Sequence, residues 1–290
     1  MSVIRFKSMD MFRNKTIAIQ AIGLLLSIAT FLIPVLYFFP LNKELNYTVS
    51  KLFLVPAFET KAYYMILHGL VVLPVFLLSF DAKVGFYKKW KHLFPAIIIV
   101  GVLFIMWDVL YTDLVVWGFN EAYFLGPEFY SLPIEECMFF LTVPFACVFI
   151  YECLLAYFPK AHKAINDDLI TIGLASLSLI LGVANLGKIY TSVTMLLLGI
   201  FLICHYLLIP NTYRSKFFLM FFIALIPFCL VNGALTGSFS QEPIVLYNQE
   251  EILGLRVFSI PIEDFFYCML FLFCVIVLFE YFKTERSVKA

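Results

Sequence analysis

A six-residue segment recurs in this chain, each time at the mouth of a long apolar run. Ser131-Leu-Pro-Ile-Glu-Glu136 returns 128 residues later as Ser259-Ile-Pro-Ile-Glu-Asp264. Overlaid without gaps, 119–152 and 247–280 also agree at Asn120/Asn248, Leu125/Leu253, Gly126/Gly254, Phe145/Phe273 and Glu152/Glu280. A duplicated unit restricts the fold to arrangements in which two copies fit one another. Two adjacent carboxylates entering a membrane helix are also costly, so a chain that carries them twice is expected to use them.

The runs have the length of bilayer spans, for which about 20 apolar residues are needed. Eight are expected, at 17–39, 62–80, 93–112, 133–156, 168–186, 189–209, 217–236 and 261–282. Hydrophobic residues make up 63% of the 290 and charged residues 14%, against about 45–50% and about 25% in soluble domains. No soluble core could hide that much apolar surface. The expected fold class is therefore an all-α polytopic membrane protein, with about eight transmembrane helices forming two parallel four-helix repeats. The first run is too long for the apolar part of a signal peptide and lacks a small-residue cleavage site, so it reads as a retained helix. Only a short turn around Asn185-Leu-Gly-Lys188 separates the fifth and sixth spans, which predicts a tight helical hairpin. The seven cysteines form no Cys-x-x-Cys pair and lie mostly in apolar runs, as small helix residues do.

Eight spans place both termini on one side. With the termini inside, fifteen of the twenty basic residues fall in inside segments, leaving Lys43, Lys51, Lys61, Lys188 and Arg256 outside. This positive-inside bias predicts an integral cytoplasmic-membrane protein with both termini cytoplasmic. The 128-residue repeat covers four spans, an even number, so the copies share one orientation, with a pseudo-two-fold axis along the membrane normal. Spans two to four then correspond to six to eight. The expected division is 1–60 (basic segment, extra helix and outer loop), 61–157 (first repeat), 158–188 (linking helix) and 189–290 (second repeat and tail).

Polar residues collect at one level. Pro133 and Pro261 suit the first turn of a helix, which puts Glu135, Glu136, Glu263 and Asp264 in the first turns of spans four and eight. Acids there are also stabilised by the helix dipole, a purely structural alternative. Asp108 and Thr112 share a helix face, and Asn232 and Thr236 repeat them at an offset of 124. Glu152 and Glu280 close the two repeats and are expected to pair with nearby bases, Lys160 and Lys163 beyond the first, Lys283 and Arg286 beyond the second. Trp107, Tyr111, Trp117, Phe119, Tyr123, Phe139, Phe140, Phe265, Phe266 and Tyr267 surround the acid layer. They fit an interfacial belt, and equally the ring faces that stabilise a cation in dry surroundings. The chain has no glycine-rich phosphate loop, dinucleotide fingerprint or aspartate-rich diphosphate motif. Its four histidines are scattered, so no metal site is expected.

These motifs resemble the integral-membrane lycopene cyclases. That family occurs as two small subunits in some bacteria, as one fused chain in archaea and other bacteria, and as the cyclase part of a fungal fusion with phytoene synthase. The resemblance covers about 62–282. It rests on Leu78-Ser-Phe-Asp81 with Phe86-Tyr-Lys-Lys-Trp90, on Trp107-Asp108 and Trp117-Gly-Phe-Asn120, and on Leu132-Pro-Ile-Glu-Glu-Cys-Met-Phe-Phe140. Pro144-Phe-Ala-Cys147, Tyr151-Glu152 and Pro261-Ile-Glu-Asp-Phe-Phe-Tyr267 complete it. The doubled Pro-x-Glu-Glu/Asp signature is its specific part, and the first 60 residues fall outside it.

The resemblance implies a redox-neutral isomerisation of a linear C40 polyene with no cofactor. Such chemistry needs a proton donor, a base and a dry cavity that tolerates positive charge. Glu135 and Glu263 are expected as the primary acids, Glu136 and Asp264 as partner or base, and Asp108 as a tuning or relay group. Trp107, Tyr111, Thr112, Asn232, Thr236, Phe139, Phe140, Phe266 and Tyr267 are expected to bind substrate. Lycopene or a related linear carotenoid from the bilayer and membrane lipid are the expected partners, beside a second copy or other carotenoid enzymes, and no nucleic acid. A proton-coupled carrier using the same acids, or a carotenoid-binding protein without turnover, also fits these residues.

Overall fold

The computed structural model of the chain describes residues 44–209 and 213–289, with side chains as far as Thr284. The expected first span, 17–39, lies outside the described residues. The other seven expected spans are helices, six of them within a few residues of their sequence-based bounds and the last running on past residue 282 to Lys289. They are α1 (Tyr63–Leu78), α2 (Trp90–Asp113), α3 (Ile134–Tyr157), α4 (Asp167–Ala184), α5 (Ile189–Leu208), α6 (Arg214–Leu235) and α7 (Ile262–Lys289). Among the described residues, six are long and apolar enough to cross a membrane; α1, with 16 residues, is shorter. The protein is an all-α polytopic membrane protein.

The helices interlock across the repeats. Within each copy, α1 packs on α3 and α5 packs on α7. Between copies, α2 packs on α7 and α6 on α3. Helices α4 and α5 form the expected hairpin, and two glycines let them approach. A Cβ added at Gly182 would lie 2.7 Å from Leu196 Cγ, and one at Gly199 the same distance from Leu179 Cγ.

Short strands, which hydropathy alone does not reveal, organise one end of the bundle. Strands β1 (Trp117–Phe119) and β4 (Val245–Tyr247) are equivalent segments of the two repeats, and they pair antiparallel with each other. Trp117 faces Tyr247, Gly118 faces Leu246 and Phe119 faces Val245. This register is symmetric about Gly118 and Leu246, so the relation between the repeats passes through that pair. Flanking hydrogen bonds obey the same symmetry: Asn120 N–H to Ile244 O and Asn248 N–H to Val116 O are both 2.9 Å.

Each repeat also carries a hairpin just before its last helix, β2 (Glu128–Phe129) with β3 (Leu132–Pro133) and β5 (Arg256–Val257) with β6 (Ile260–Pro261). Pro133 and Pro261 therefore close strands one residue before the helices, rather than occupying first helical turns. Their missing N–H is harmless at the edge of a two-stranded ladder. Residues 44–61, which have no sequence-based role, lie along the second repeat: Leu52 N–H and Val55 N–H donate to Ser238 O and Phe239 O at 2.9 Å.

The opposite end is closed by charge. Buried Glu152 is paired with both Lys89 and Lys283, the latter at 2.8 Å, and Lys283 also reaches Glu280 at 2.9 Å. Tyr151 donates to Glu280 at 2.9 Å. The expected ion pairing of Glu280 with Lys283 is present, whereas Glu152 takes different partners from those expected. Lys160 and Lys163 lie beyond the end of α3, while Lys89 and Lys283 come from neighbouring elements that face Glu152.

Candidate active site

The carboxylate motifs divide their labour by direction. Adjacent helical residues point about 100° apart, and here one of each pair turns back while the other turns inward. Glu135 Oε1 accepts from the Leu125 backbone N–H at 2.8 Å, and Glu263 Oε1 accepts from the Leu253 N–H at 2.6 Å. Leu125 and Leu253 precede the left-handed glycines Gly126 and Gly254. These shared residues thus belong to one loop clamp made twice. Glu263 also accepts from Thr191 Oγ1 at 2.6 Å. Each glutamate keeps its Oε2 buried without a hydrogen-bond partner among the described residues.

Glu136 and Asp264 turn the other way. Together with Asp108 and Asn232 they line one small cavity of about 50 Å³, roofed by Trp117, Phe119, Val245 and Tyr247 of the symmetric strand pair. Tyr64 donates to Glu136 Oε2 at 2.6 Å. Asp264 has three donors: Tyr190 at 2.7 Å on Oδ1, Asn232 at 2.7 Å and Tyr247 at 2.9 Å on Oδ2. Burial, reinforced by the Asp264 charge, holds the Tyr247 hydroxyl well above the usual tyrosine range, so it remains a donor. Asp108 is buried, with Oδ2 unpartnered among the described residues, as is the Tyr267 hydroxyl beside it. Rings complete the wall, among them Phe139, Phe140, Phe228 and Phe271.

An apolar groove of about 510 Å³ opens between α1, α3 and α6. Phe139, Phe228, Asn232 and Cys268 line both the groove and the acid cavity. A long apolar molecule lying in the groove would thus bring one end to the carboxylates.

A family model described as lycopene cyclase matches the chain twice, at residues 60–154 and 187–282, more than half of its length. The chain belongs to the lycopene cyclase family. The two matches coincide with the two repeats, and no curated protein or solved structure matches the chain. Membership makes the chain a carotenoid cyclase, an enzyme of carotenoid biosynthesis set in a membrane.

In this cyclase the sequence-derived residues separate into four groups. Asp108, Glu136, Asp264, Asn232, Phe139, Phe140 and Tyr267 line the acid cavity. Trp107 and Tyr111 are fully buried behind it, where Trp107 packs edge-on against Tyr267 at 5.1 Å. Thr112 and Thr236 bond the carbonyls of Asp108 and Asn232, at 2.9 and 2.8 Å, and so finish helices α2 and α6. Phe266, Glu135 and Glu263 do not line the cavity.

Tyr64, Tyr190 and Tyr247 were not singled out by sequence, because they reach the acids from 72, 74 and 17 residues away. One signal existed: Tyr64 and Tyr190 both stand in the first turn of the helix that opens a repeat. His68, which stands alone in sequence terms, stacks on Tyr64 at 5.0 Å. Its ring nitrogens lie 2.8 Å from the Glu135 carbonyl and 2.9 Å from Thr142 Oγ1.

Proposed function

We propose that this cyclase converts the linear ψ end groups of lycopene, or of a similar open-ended carotenoid, into β-ionone rings by redox-neutral acid–base catalysis. The observation that carries this reading is the continuity of the apolar groove with a cavity holding three carboxyl groups among aromatic faces. In the reaction a proton adds to the terminal C1=C2 bond and leaves a tertiary cation. The C5=C6 bond attacks that cation and closes the six-membered ring. Loss of a ring proton then restores neutrality, so one proton enters, one leaves and no electron carrier takes part.

The hydrogen bonds support the following division of roles. Asp264, with three donors, is suited to remain a carboxylate, balancing the cation and receiving the ring proton. Among the described residues Glu136 accepts from Tyr64 alone, and it shares its cavity with Asp108. Carboxyl groups crowded into one buried site retain a proton between them, so Glu136 with Asp108 forms the donor side. Tyr267, Phe140 and Phe271 present ring faces to the cation. Glu135 and Glu263, the primary acids of the sequence-based reading, become clamps that hold the loop over the cavity.

Expression in lycopene-producing bacteria, followed by pigment separation, tests the reading. The expected product is a β-ringed carotenoid of unchanged mass, formed in washed membranes without added flavin or nicotinamide. Unaltered lycopene, despite folded protein in the membrane, would refute it.

A further inference from the structure

Two turns at the acid end of the bundle break the same conformational rule. In hairpins β2–β3 and β5–β6 the first turn residues are Tyr130 and Phe258, with φ of 55° and 57°. Two-residue hairpins favour Gly, Asn or Asp at such a position, and a bulky aromatic residue there is strained. Yet both repeats place one there. Neither ring is used inside the fold: Tyr130 is 80% exposed and Phe258 60%. Among the described residues, Tyr130 has one ring contact, edge-on with its neighbour Phe129, itself half-exposed.

The frames beneath these tips are rigid. Ser131 Oγ donates to Asp113 at 2.9 Å, and Ser259 Oγ is bonded to the hydroxyls of Thr236 and Ser238. Ile134 N–H and Ile262 N–H donate to the carbonyls of Pro127 and Leu255 at 3.0 Å. Each tip is thus held outward from the end of a helix whose exposed face is apolar, with Val102 and Met106 on α2 and Ile226 and Leu230 on α6. Leu125 and Leu255 extend that apolar surface onto the loops.

We propose that the Tyr130 and Phe258 turns are a pair of interfacial anchors, seated at the boundary between phospholipid headgroups and acyl chains on the acid side of the bilayer. Aromatic rings partition to that layer, and the apolar helix faces lead into it. Two anchors related by the repeat fix the depth of the acid cavity at the membrane boundary.

Tyr130→Trp and Phe258→Trp, each in the full chain in phosphatidylcholine vesicles, report the location by fluorescence. The signal of the three native tryptophans is subtracted using the wild-type protein. Lipids brominated high on the acyl chain should quench the added tryptophan more than lipids brominated near the chain end, and aqueous iodide should quench it little. Strong iodide quenching, or no quenching by either agent because a second copy covers the tip, would overturn the proposal. Tyr130→Gly and Phe258→Gly give an independent reading. Relief of the turn should preserve or raise the melting midpoint in detergent, while loss of the anchor lowers it in vesicles. A lower midpoint in both media would mean that the rings pack within the protein, against the proposal.

Discussion

Glu136 and Asp264 occupy equivalent positions of a duplicated motif, yet among the described residues one has a single donor and the other has three. That inequality sets the expected hierarchy among substitutions. Glu136→Gln keeps shape and hydrogen bonding but cannot give a proton to an alkene, so turnover should fall by about 10²-fold or more. Asp264→Asn should fall comparably, because the cation and the departing proton lose their anion. Glu135→Gln still offers an oxygen to the Leu125 N–H and should retain most activity. Pigment yield per folded molecule distinguishes these outcomes; a dead Glu135→Gln beside an active Glu136→Gln would restore Glu135 as the acid. Tyr64→Phe removes one hydrogen bond to a carboxyl group, about 1.5 kcal/mol, and should slow turnover by roughly tenfold. The carboxylates were legible in sequence because their repetition exposes them. Which member of each pair faces the cavity was not, since that depends on helix rotation, and the tyrosines that decide it come from distant segments.

At the scale of elements, the helices were readable because bilayer thickness sets their length, and all seven described helices lie near the predicted runs. The strands were hidden, being two or three residues long and stabilised by pairing rather than by periodicity. The charge cluster falls between these cases. Glu152 was recognisable as a helix-end acid, but its partners Lys89 and Lys283 lie 63 and 131 residues away. They connect α3 to the turn before α2 and to α7, so the cluster ties one repeat to the other. Glu152→Gln should lower stability by about 2 kcal/mol, less than the ~3–5 kcal/mol of a fully buried pair because both lysines reach solvent. Thermal melts in detergent should show that loss while turnover per folded molecule stays near wild type. Loss of turnover at full stability would move chemistry to this end.

The whole molecule is a duplication used unequally. With the offset of 124 that aligns Asp108 with Asn232, Trp107 of α2 corresponds to Val231 of α6, and with the offset of 128 Phe271 of α7 corresponds to Val143 of α3. Trp107 and Phe271 fill the contact of α2 with α7, where Phe104 lies 5.5 Å from Trp107 and 4.8 Å from Phe271. At the corresponding contact of α6 with α3, Val231 and Val143 leave the apolar groove open. The repeat was visible in sequence. Its asymmetry was visible at Asp108 and Asn232 but not at the groove, because a Trp-for-Val exchange acquires meaning only when the facing helix is known. Among the described residues the open groove is a lateral entrance to the acid cavity, and by that route the two ends of a stiff polyene would be presented in turn. Val231→Trp, which makes the second repeat resemble the first, should therefore close the entrance without touching a carboxylate. The expected result is a folded protein whose lycopene conversion drops by at least about tenfold, with residual activity rising as substrate content in the membrane rises, since access rather than the chemical step is impaired. Ala146→Trp, from the facing helix, should act alike. Unchanged conversion in both variants would show that substrate reaches the carboxylates by another route.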